Sequence, residues 1–466
     1  MEMLCVLGHP YIRAAEIISR SRQRRPHMPK MSQTSKVGFA SGVGTTVEWY
    51  DFFIYGTAAG LVFNKIFFPE FDSLIGTLLA FATFSAAFVA RPLGGVVFGH
   101  FGDRIGRKSM LVITLTIMGL TTLGVGLLPS YETIGVAAPI ILVTLRFVQG
   151  LALGGEIGGA ILMAVEHAPA DKRGYYGSWV QMGVPAGLML GNTVFLLMAG
   201  LSPEAFESWG WRIPFLIGGA FVAIGLFVRL HVGESPNFDR VKKNAQLEKL
   251  PIGVVLRHYP KQVLLTCGAY FAIGVTFYGT TVFGLSYGVT QVGYTRNQML
   301  TLVLVAMAVT FVALPLFGKL SDAYGRKPVF LAGVLAMLLF TFPWFWLVNS
   351  GSFVLAMIGF VVFCLAFATS YGPLAAFFAE AFDTRIRYTG ISFGYTIGTL
   401  ASSAPAPIVA TYLLDRTGSY VAVALFMVAM CAVSVVCVIA MRETYRQDLS
   451  DNDETSGQEQ LSPTSH

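Results

Sequence analysis

Gly99-His100-Phe101-Gly102-Asp103-Arg104-Ile105-Gly106-Arg107-Lys108 returns later in the chain as Gly318-Lys319-Leu320-Ser321-Asp322-Ala323-Tyr324-Gly325-Arg326-Lys327. Both stretches are polar, glycine-rich and basic, and each joins two long apolar runs. A second echo has nearly the same spacing: Glu166 and Arg173 recur as Glu380 and Arg387. Polar segments repeated in register with apolar ones mark an internal duplication. The chain therefore reads as two homologous halves.

The apolar runs on either side set the solvent. The 466 residues are 54% hydrophobic and 12% charged, against roughly 25% charged residues in a soluble domain, and the mean hydropathy is +0.64. Such a chain needs lipid around it. A membrane helix takes about 20 apolar residues, because a rise of ~1.5 Å per residue has to cross ~30 Å of hydrocarbon. Twelve stretches qualify: 37–63, 74–98, 109–129, 138–165, 175–200 and 212–231, then 262–288, 299–318, 328–348, 352–378, 389–413 and 419–441. They predict an all-α membrane protein, twelve transmembrane helices in two pseudo-symmetric six-helix bundles at 37–231 and 262–441. A polar linker at 232–261 joins the bundles, and tails at 1–36 and 442–466 flank them, the second expected to be disordered. Pro10, Pro26 and Pro29 break the basic N-terminal region before any long apolar run, so it does not resemble a cleaved secretory signal. Met28 and Met31 lie just ahead of the first span, and residues 1–27 read as an upstream extension of little functional weight.

Lysine and arginine fall mostly on the side shared by both tails; the opposite side holds only Lys65, Arg212, Arg296 and Arg416. Positive residues stay inside, which predicts both termini in the cytoplasm and the protein in the cytoplasmic (inner or plasma) membrane. The net charge of +6 is thus a membrane signature and does not point to nucleic acid. Five scattered cysteines without C-x-x-C and seven histidines without H-x-x-x-H give no metal site, and no cofactor is expected. No G-x-x-x-x-G-K-[ST] occurs to bind ATP, and Gly42-Val43-Gly44 leads into a span instead of a βαβ unit. No Ser/His or His/Asp constellation suggests an enzyme.

A charge inside a span costs about 2.5–3.5 kcal/mol on the insertion scale, so such residues face a cavity or a partner. Glu48, Asp51, Arg91, Arg146 and Glu156 lie within spans of the first half, and the second half has essentially none between its helix ends. Glu48 and Asp51 are three residues apart, on neighbouring positions of one helical face, about 17–21 Å into the bilayer. Two carboxylates so close in low dielectric resist double ionisation, which is what a proton carrier requires. Arg91 lies about 12 Å inside the cytoplasmic face and Arg146 at a similar depth from the other. Either guanidinium suits an anionic substrate or an internal carboxylate, since it stays charged and donates two parallel hydrogen bonds. Gln149 shares the stretch with Arg146 and Glu156, while Gly150, Gly154 and Gly158 form a small-x-x-x-small packing face. Gly183, Gly187 and Gly191 around Pro185 suggest a bending helix. Tyr270, Tyr278 and Tyr287 offer rings and hydroxyls from the seventh span, with Tyr278 the candidate for substrate contact.

The doubled G-x-x-x-D-R-x-G-R-K stretch between the second and third of six spans resembles the signature loop of the major facilitator superfamily. With it stand E-W-Y-D-F at 48–52, R-P-L-G-G at 91–95, R-F-V-Q-G-x-x-x-G-G-E at 146–156, W-G-W-R-I-P-F at 209–215 and E-S-P at 234–236. Together they resemble the metabolite:proton symporter family within that superfamily, whose members carry shikimate, α-ketoglutarate, citrate, or proline and betaine. The wording is most similar to shikimate-type members.

The resemblance implies gating by the doubled stretch: Asp103 caps the start of helix 11, and the loop arginines Arg104 and Arg107, with Lys108, reach the end of helix 4, where Glu166 is available. Gly99 and Gly106 complete the motif. Its counterparts Asp322, Gly325, Arg326 and Lys327, with Arg173, Glu380 and Arg387, form a second gate, expected to be weaker because Ala323 stands where the first copy has arginine. The function expected is proton-coupled symport of a small organic acid, shikimate-like or dicarboxylate-like, by alternating access in a monomer, the proton being the coupling ion. A zwitterionic osmolyte such as proline or betaine is the alternative substrate. A non-transporting membrane sensor on the same fold is the rival from another class.

Overall fold

The computed structural model describes residues 33–445 except 106, 155–156, 167, 199, 232–256, 258 and 383–386. Twelve helical segments cross the molecule. The first half contains α1 (Gln33–Leu61), α2 (Ser73–Ile105), α3 (Arg107–Leu127), α4 (Ala137–Gly154 with Ile157–Glu166), α5 (Arg173–Gln181 with Gly183–Met198) and α6 (Ile213–His231). The second contains α7 (Pro260–Val292), α8 (Arg296–Tyr324), α9 (Arg326–Asn349), α10 (Phe353–Glu380), α11 (Arg387–Ser402 with Ala406–Thr417) and α12 (Tyr420–Ala440). Nine helical stretches of the described residues are long and apolar enough to span a bilayer by themselves, and Val112–Leu127 and Gly210–Ala223 are shorter apolar helices. The expected linker lies almost wholly outside the described residues.

The helices start and stop where local chemistry dictates. Thr295 and Gln298 make a reciprocal capping box at the head of α8, Ser352 and Ser419 accept amide protons at the heads of α10 and α12, and Gly418 ends α11 in the left-handed region. Large side chains such as Leu120, Leu127, Leu197 and Leu339 face outward. In water they would be sticky; in hydrocarbon they are solvated.

Helix association in lipid rests on close packing, and glycine supplies it. A Cβ on Gly154 would lie 1.9 Å from the Arg91 carbonyl oxygen, and one on Gly150 2.2 Å from that of Ala87, so α2 and α4 touch backbone to backbone. Gly187 seats α5 on α1 in the same way, 2.6 Å from the Tyr50 amide. The glycines of α5 therefore serve packing, and its two segments adjoin at Met182, whose dihedrals remain helical.

The doubled stretch is not the loop its polarity suggests. α2 runs to Ile105, and α8 runs through Asp322 to Tyr324, leaving Gly325 alone before α9. Gly325 has φ +104°, a conformation that side chains resist, and this lets the chain reverse in one residue. The two halves meet where α5 packs on α8 and α10, α2 and α4 on α11, and α1 on α7.

Candidate functional site

Helical geometry sorts the Glu48–Phe53 stretch by direction. Trp49, Phe52 and Phe53 fall at i, i+3 and i+4 and share one face. Trp49 stacks on Phe53 at 5.2 Å, and Phe52 meets Phe84 and Phe88 of α2 at 5.0 and 5.1 Å. Tyr50 points elsewhere, its hydroxyl donating to the Pro214 carbonyl at 2.8 Å. Asp51 turns toward α6, where a Cβ on Gly218 would stand 2.6 Å from its Oδ1. Both Asp51 oxygens are buried and accept no hydrogen bond; Thr122 lies beside them, outside hydrogen-bond geometry. Glu48 is buried one turn earlier.

The two arginines converge on a single ring. The Arg91 guanidinium lies 4.5 Å from the centroid of Phe52 and that of Arg146 4.4 Å from it. Such contacts are worth about 2 kcal/mol when desolvated. Their hydrogen bonding differs. Arg146 donates to the Gln149 side chain and, at 3.4 Å, to the Phe52 carbonyl, and it sits 4.2 Å from the Tyr55 ring. Gln149 in turn donates to Thr122 Oγ1 at 2.9 Å. Arg91, 1% exposed, has Nε, Nη1 and Nη2 all without a hydrogen-bond partner.

Tyr278 reaches in from the second half, its ring 5.5 Å from Phe88 and 5.7 Å from Phe84. It stands immediately before a π-helical turn, Gly279–Phe283, a local widening often found at working sites. Beside it a cavity of about 10 Å³ lies between the halves, walled by Trp49 and Val184 on one side and Tyr270, Phe277, Tyr278 and Tyr371 on the other. That volume holds about one water, so the centre is closed on itself. Asp51, Arg91, Arg146, Gln149 and Tyr278 are thus gathered around Phe52, while Glu156 lies outside the described residues.

The gate is described in its second copy. Asp322 accepts from the amides of Gly174 at 2.9 Å and Tyr175 at 2.8 Å, capping α5 of the other half. Arg326 is buried and bridges Asp322 at 2.6 Å to Glu380 at 3.3 Å. Glu380 also accepts from Thr444 at 3.0 Å and feels the charge of Arg173 across the interface. Lys327 donates to the carbonyls of Ile439 and Met441 at the end of α12. The bridge runs through position 326 and does not involve Ala323; the charged side chains of the first copy, against which this gate was expected to be weaker, lie outside the described residues. The symmetry-related contact, Arg387 with Glu166, measures 3.9 Å. Of the first copy, Gly99 lies within α2, Gly106 lies outside the described residues, and so do the side chains of Asp103, Arg104, Arg107 and Lys108.

At the opposite face, Arg296 at the head of α8 lies 4.2 Å from the ring of Phe206 on the short helix Pro203–Ser208 of the first half, and Glu207 pairs with Lys65 at 2.5 Å. Sequence reasoning missed this contact, the convergence on Phe52, and Tyr371 and Tyr395. Phe52 had a signal, since it shares a helical face with Trp49; the others join segments far apart in the chain and leave no local pattern.

A model of the Major Facilitator Superfamily matches residues 42–404 and, again, 289–465. The chain belongs to the Major Facilitator Superfamily. The inner membrane metabolite transport protein YhjE of Escherichia coli is 40% identical over 90% of this chain and 96% of its own length. The shikimate transporter of that organism is 37% identical over 89% and 96%, and its proline/betaine transporter 33% identical over 88% and 84%. In fold, the chain resembles the E. coli proton:xylose symporter XylE, with a TM-score of 0.71 at 17% identity, covering 90% of this chain and 98% of that one. As a member of the superfamily, the protein is a multi-pass membrane transporter of small solutes and not an enzyme.

Proposed function

We propose that this transporter carries a small organic anion together with a proton, with both termini in the cytoplasm. The observation that carries this reading is Arg91: a buried guanidinium with three unpartnered nitrogens, set against the rings beside a cavity between the halves. A permanently charged fork in such a place is made for a carboxylate. Arg146 is held by Gln149 and the Phe52 carbonyl and belongs with Asp51 behind the ring. When Asp51 takes a proton, with Glu48 as the second acid of the region, the site becomes more positive and a substrate carboxylate restores the balance. Proton and anion then cross together, and the loaded halves rock about the closed centre. No cofactor takes part, and one chain suffices.

The rings of Trp49, Phe277 and Tyr278 support a second substrate class, since an aromatic wall also receives the cationic end of proline or betaine. Proteoliposomes with an inside-alkaline interior, offered labelled shikimate, α-ketoglutarate, citrate, proline and betaine, separate the two. Accumulation of an acid that collapses with the pH gradient is expected, and one monocarboxylate per proton makes it indifferent to membrane potential. Accumulation of proline or betaine alone would replace the anion reading. Binding without movement would indicate a sensor.

A further inference from the structure

Asp51 and Arg146 are not bonded to one another. Among the described residues neither oxygen of Asp51 has a hydrogen-bond partner, and Arg146 directs its hydrogen bonds to Gln149 and the Phe52 carbonyl. Each nevertheless feels the other's charge. Between them runs a polar chain: Arg146 Nη1 donates to Gln149 Oε1, Gln149 Nε2 donates to Thr122 Oγ1 at 2.9 Å, and Thr122 stands beside Asp51. A guanidinium has donors and no acceptor, so Arg146 fixes which end of the Gln149 amide faces Thr122. A Cβ on Gly218 would meet Asp51 Oδ1 at 2.6 Å and Thr122 Cγ2 at 3.0 Å, which puts acid and threonine side by side against α6. Other threonines of these spans return the hydroxyl proton to a carbonyl one turn back, as Thr116, Thr144 and Thr310 do. Among the described residues Thr122 returns it to none, so its oxygen is held by Gln149 while its proton stays uncommitted. Met110 to Leu127 of α3 and Ile213 to Val228 of α6 hold no titratable side chain. The titratable groups near Asp51 are therefore Glu48 and Tyr50 of its own helix and Arg146 of α4, with the Tyr50 hydroxyl already given to Pro214.

Resting on the reading of Asp51 as the coupling acid, we infer that Thr122 is a positioning residue of the coupling step. Held by Gln149, its hydroxyl donates to Asp51 when the acid is ionised and lets go when the acid is protonated, so that a proton on α1 is felt at Arg146 on α4. A buried carboxylate needs hydrogen bonds once it is charged, and the Thr122 proton is one it can take. A hydrogen bond to an ionised acceptor is roughly twice as strong as one between neutral groups. Donors aligned head to tail from a cation to an anion also reinforce one another. With Asp51 ionised, the chain is taut and fixes Arg146 against Phe52. Protonation removes the anion at one end, and Gln149 and Arg146 gain freedom to shift. Phe52 passes that shift on, because Arg91 lies against the same ring.

Thr122→Val keeps the shape and removes the hydroxyl, whereas Thr122→Ser keeps the hydroxyl. In proteoliposomes of the full-length protein given labelled shikimate, the ratio of gradient-driven accumulation to counterflow should fall severalfold in Thr122→Val and recover in Thr122→Ser. An undiminished ratio in Thr122→Val overturns the relay, and so does a loss that serine fails to restore. Asp51→Asn in the same preparation separates the two ideas: if it still accumulates, the coupling acid lies elsewhere and the reading of Asp51 falls first. Infrared difference spectra on stepping the pH need no substrate. The carboxyl band absent from Asp51→Asn should shift in Thr122→Val and return in Thr122→Ser. An unmoved band overturns the relay, and no band assignable to Asp51 overturns the reading beneath it. Thr122→Ala serves where Thr122→Val does not express, with the same expected outcomes.

Discussion

Arg91 and Arg146 are the same residue type at similar depth against the same ring, yet their nitrogens give them different work. On the proposed anion reading, Arg91→Ala removes a charge-assisted pair worth about 1.5–3 kcal/mol, so the half-saturating concentration of the acid should rise ten- to a hundredfold in a protein of normal yield. Asp51→Asn should leave counterflow in place and abolish accumulation driven by a pH gradient. If accumulation survives, Asp51 is not the coupling acid. Gly218→Ala puts a methyl group 2.6 Å from Asp51 Oδ1 and should impair coupling without touching Arg91. Asp51, Arg91 and Arg146 were legible in the sequence because charge within a lipid span is rare enough to stand out, and Gln149 because it shares a stretch with Arg146. Tyr371 and Tyr395 were not, because rings are ordinary in membrane helices and only the fold shows which of them stand together.

At the scale of helices, the doubled stretch was readable as a repeat and misread as a loop. Its glycines and charges look like connection, but Asp322 and Arg326 are an i,i+4 pair bridging the last turn of α8 to the first residue of α9, and Gly325 alone does the turning. The twelve spans were readable from composition, and the interruption between Ser402 and Ala406 falls at Pro405 and Pro407, which lack the amide protons a helix needs and which the span reading of 389–413 passed over. The tightest helix pair is α2 with α4. Gly154→Val drives a branched side chain into the Arg91 carbonyl, an overpacking that costs about 1–3 kcal/mol or more. It should lower the melting temperature in detergent by several degrees and displace Arg91 with it; an unchanged melting curve would show that the pair relaxes freely.

Across the whole molecule the two faces are fastened unequally. On the side of the doubled stretches a buried arginine holds two carboxylates while one of them caps a helix of the other half. Removing one member of such a network costs about 3–5 kcal/mol. On the opposite side, the halves are joined among the described residues by Arg296 over the Phe206 ring, a cation–π contact worth about 0.5–1 kcal/mol where it is exposed, while the Lys65–Glu207 pair beside it lies within the first half. The unloaded protein should therefore open on the Arg296 face more readily. A reporter cysteine at Val184 should react with an impermeant thiol reagent mainly from that side. Asp322→Ala should raise labelling from the other side severalfold, and Arg296→Ala should change the pattern less. Equal labelling from both sides in the unaltered protein would contradict the ranking.

α8 carries a fastening at each end, Arg296 on its first turn and Asp322 on its last, 29 residues forming a rod of about 44 Å. A rod cannot absorb a change in length the way a loop does. One residue inserted midway turns the far end by ~100° and advances it by ~1.5 Å, so whichever end keeps its partner, the other points away from its own. Insertions and deletions within 297–321 should therefore be far more damaging than point substitutions at the same lipid-facing sites. The distance between the two fastenings is a quantity the chain has to count out one residue at a time.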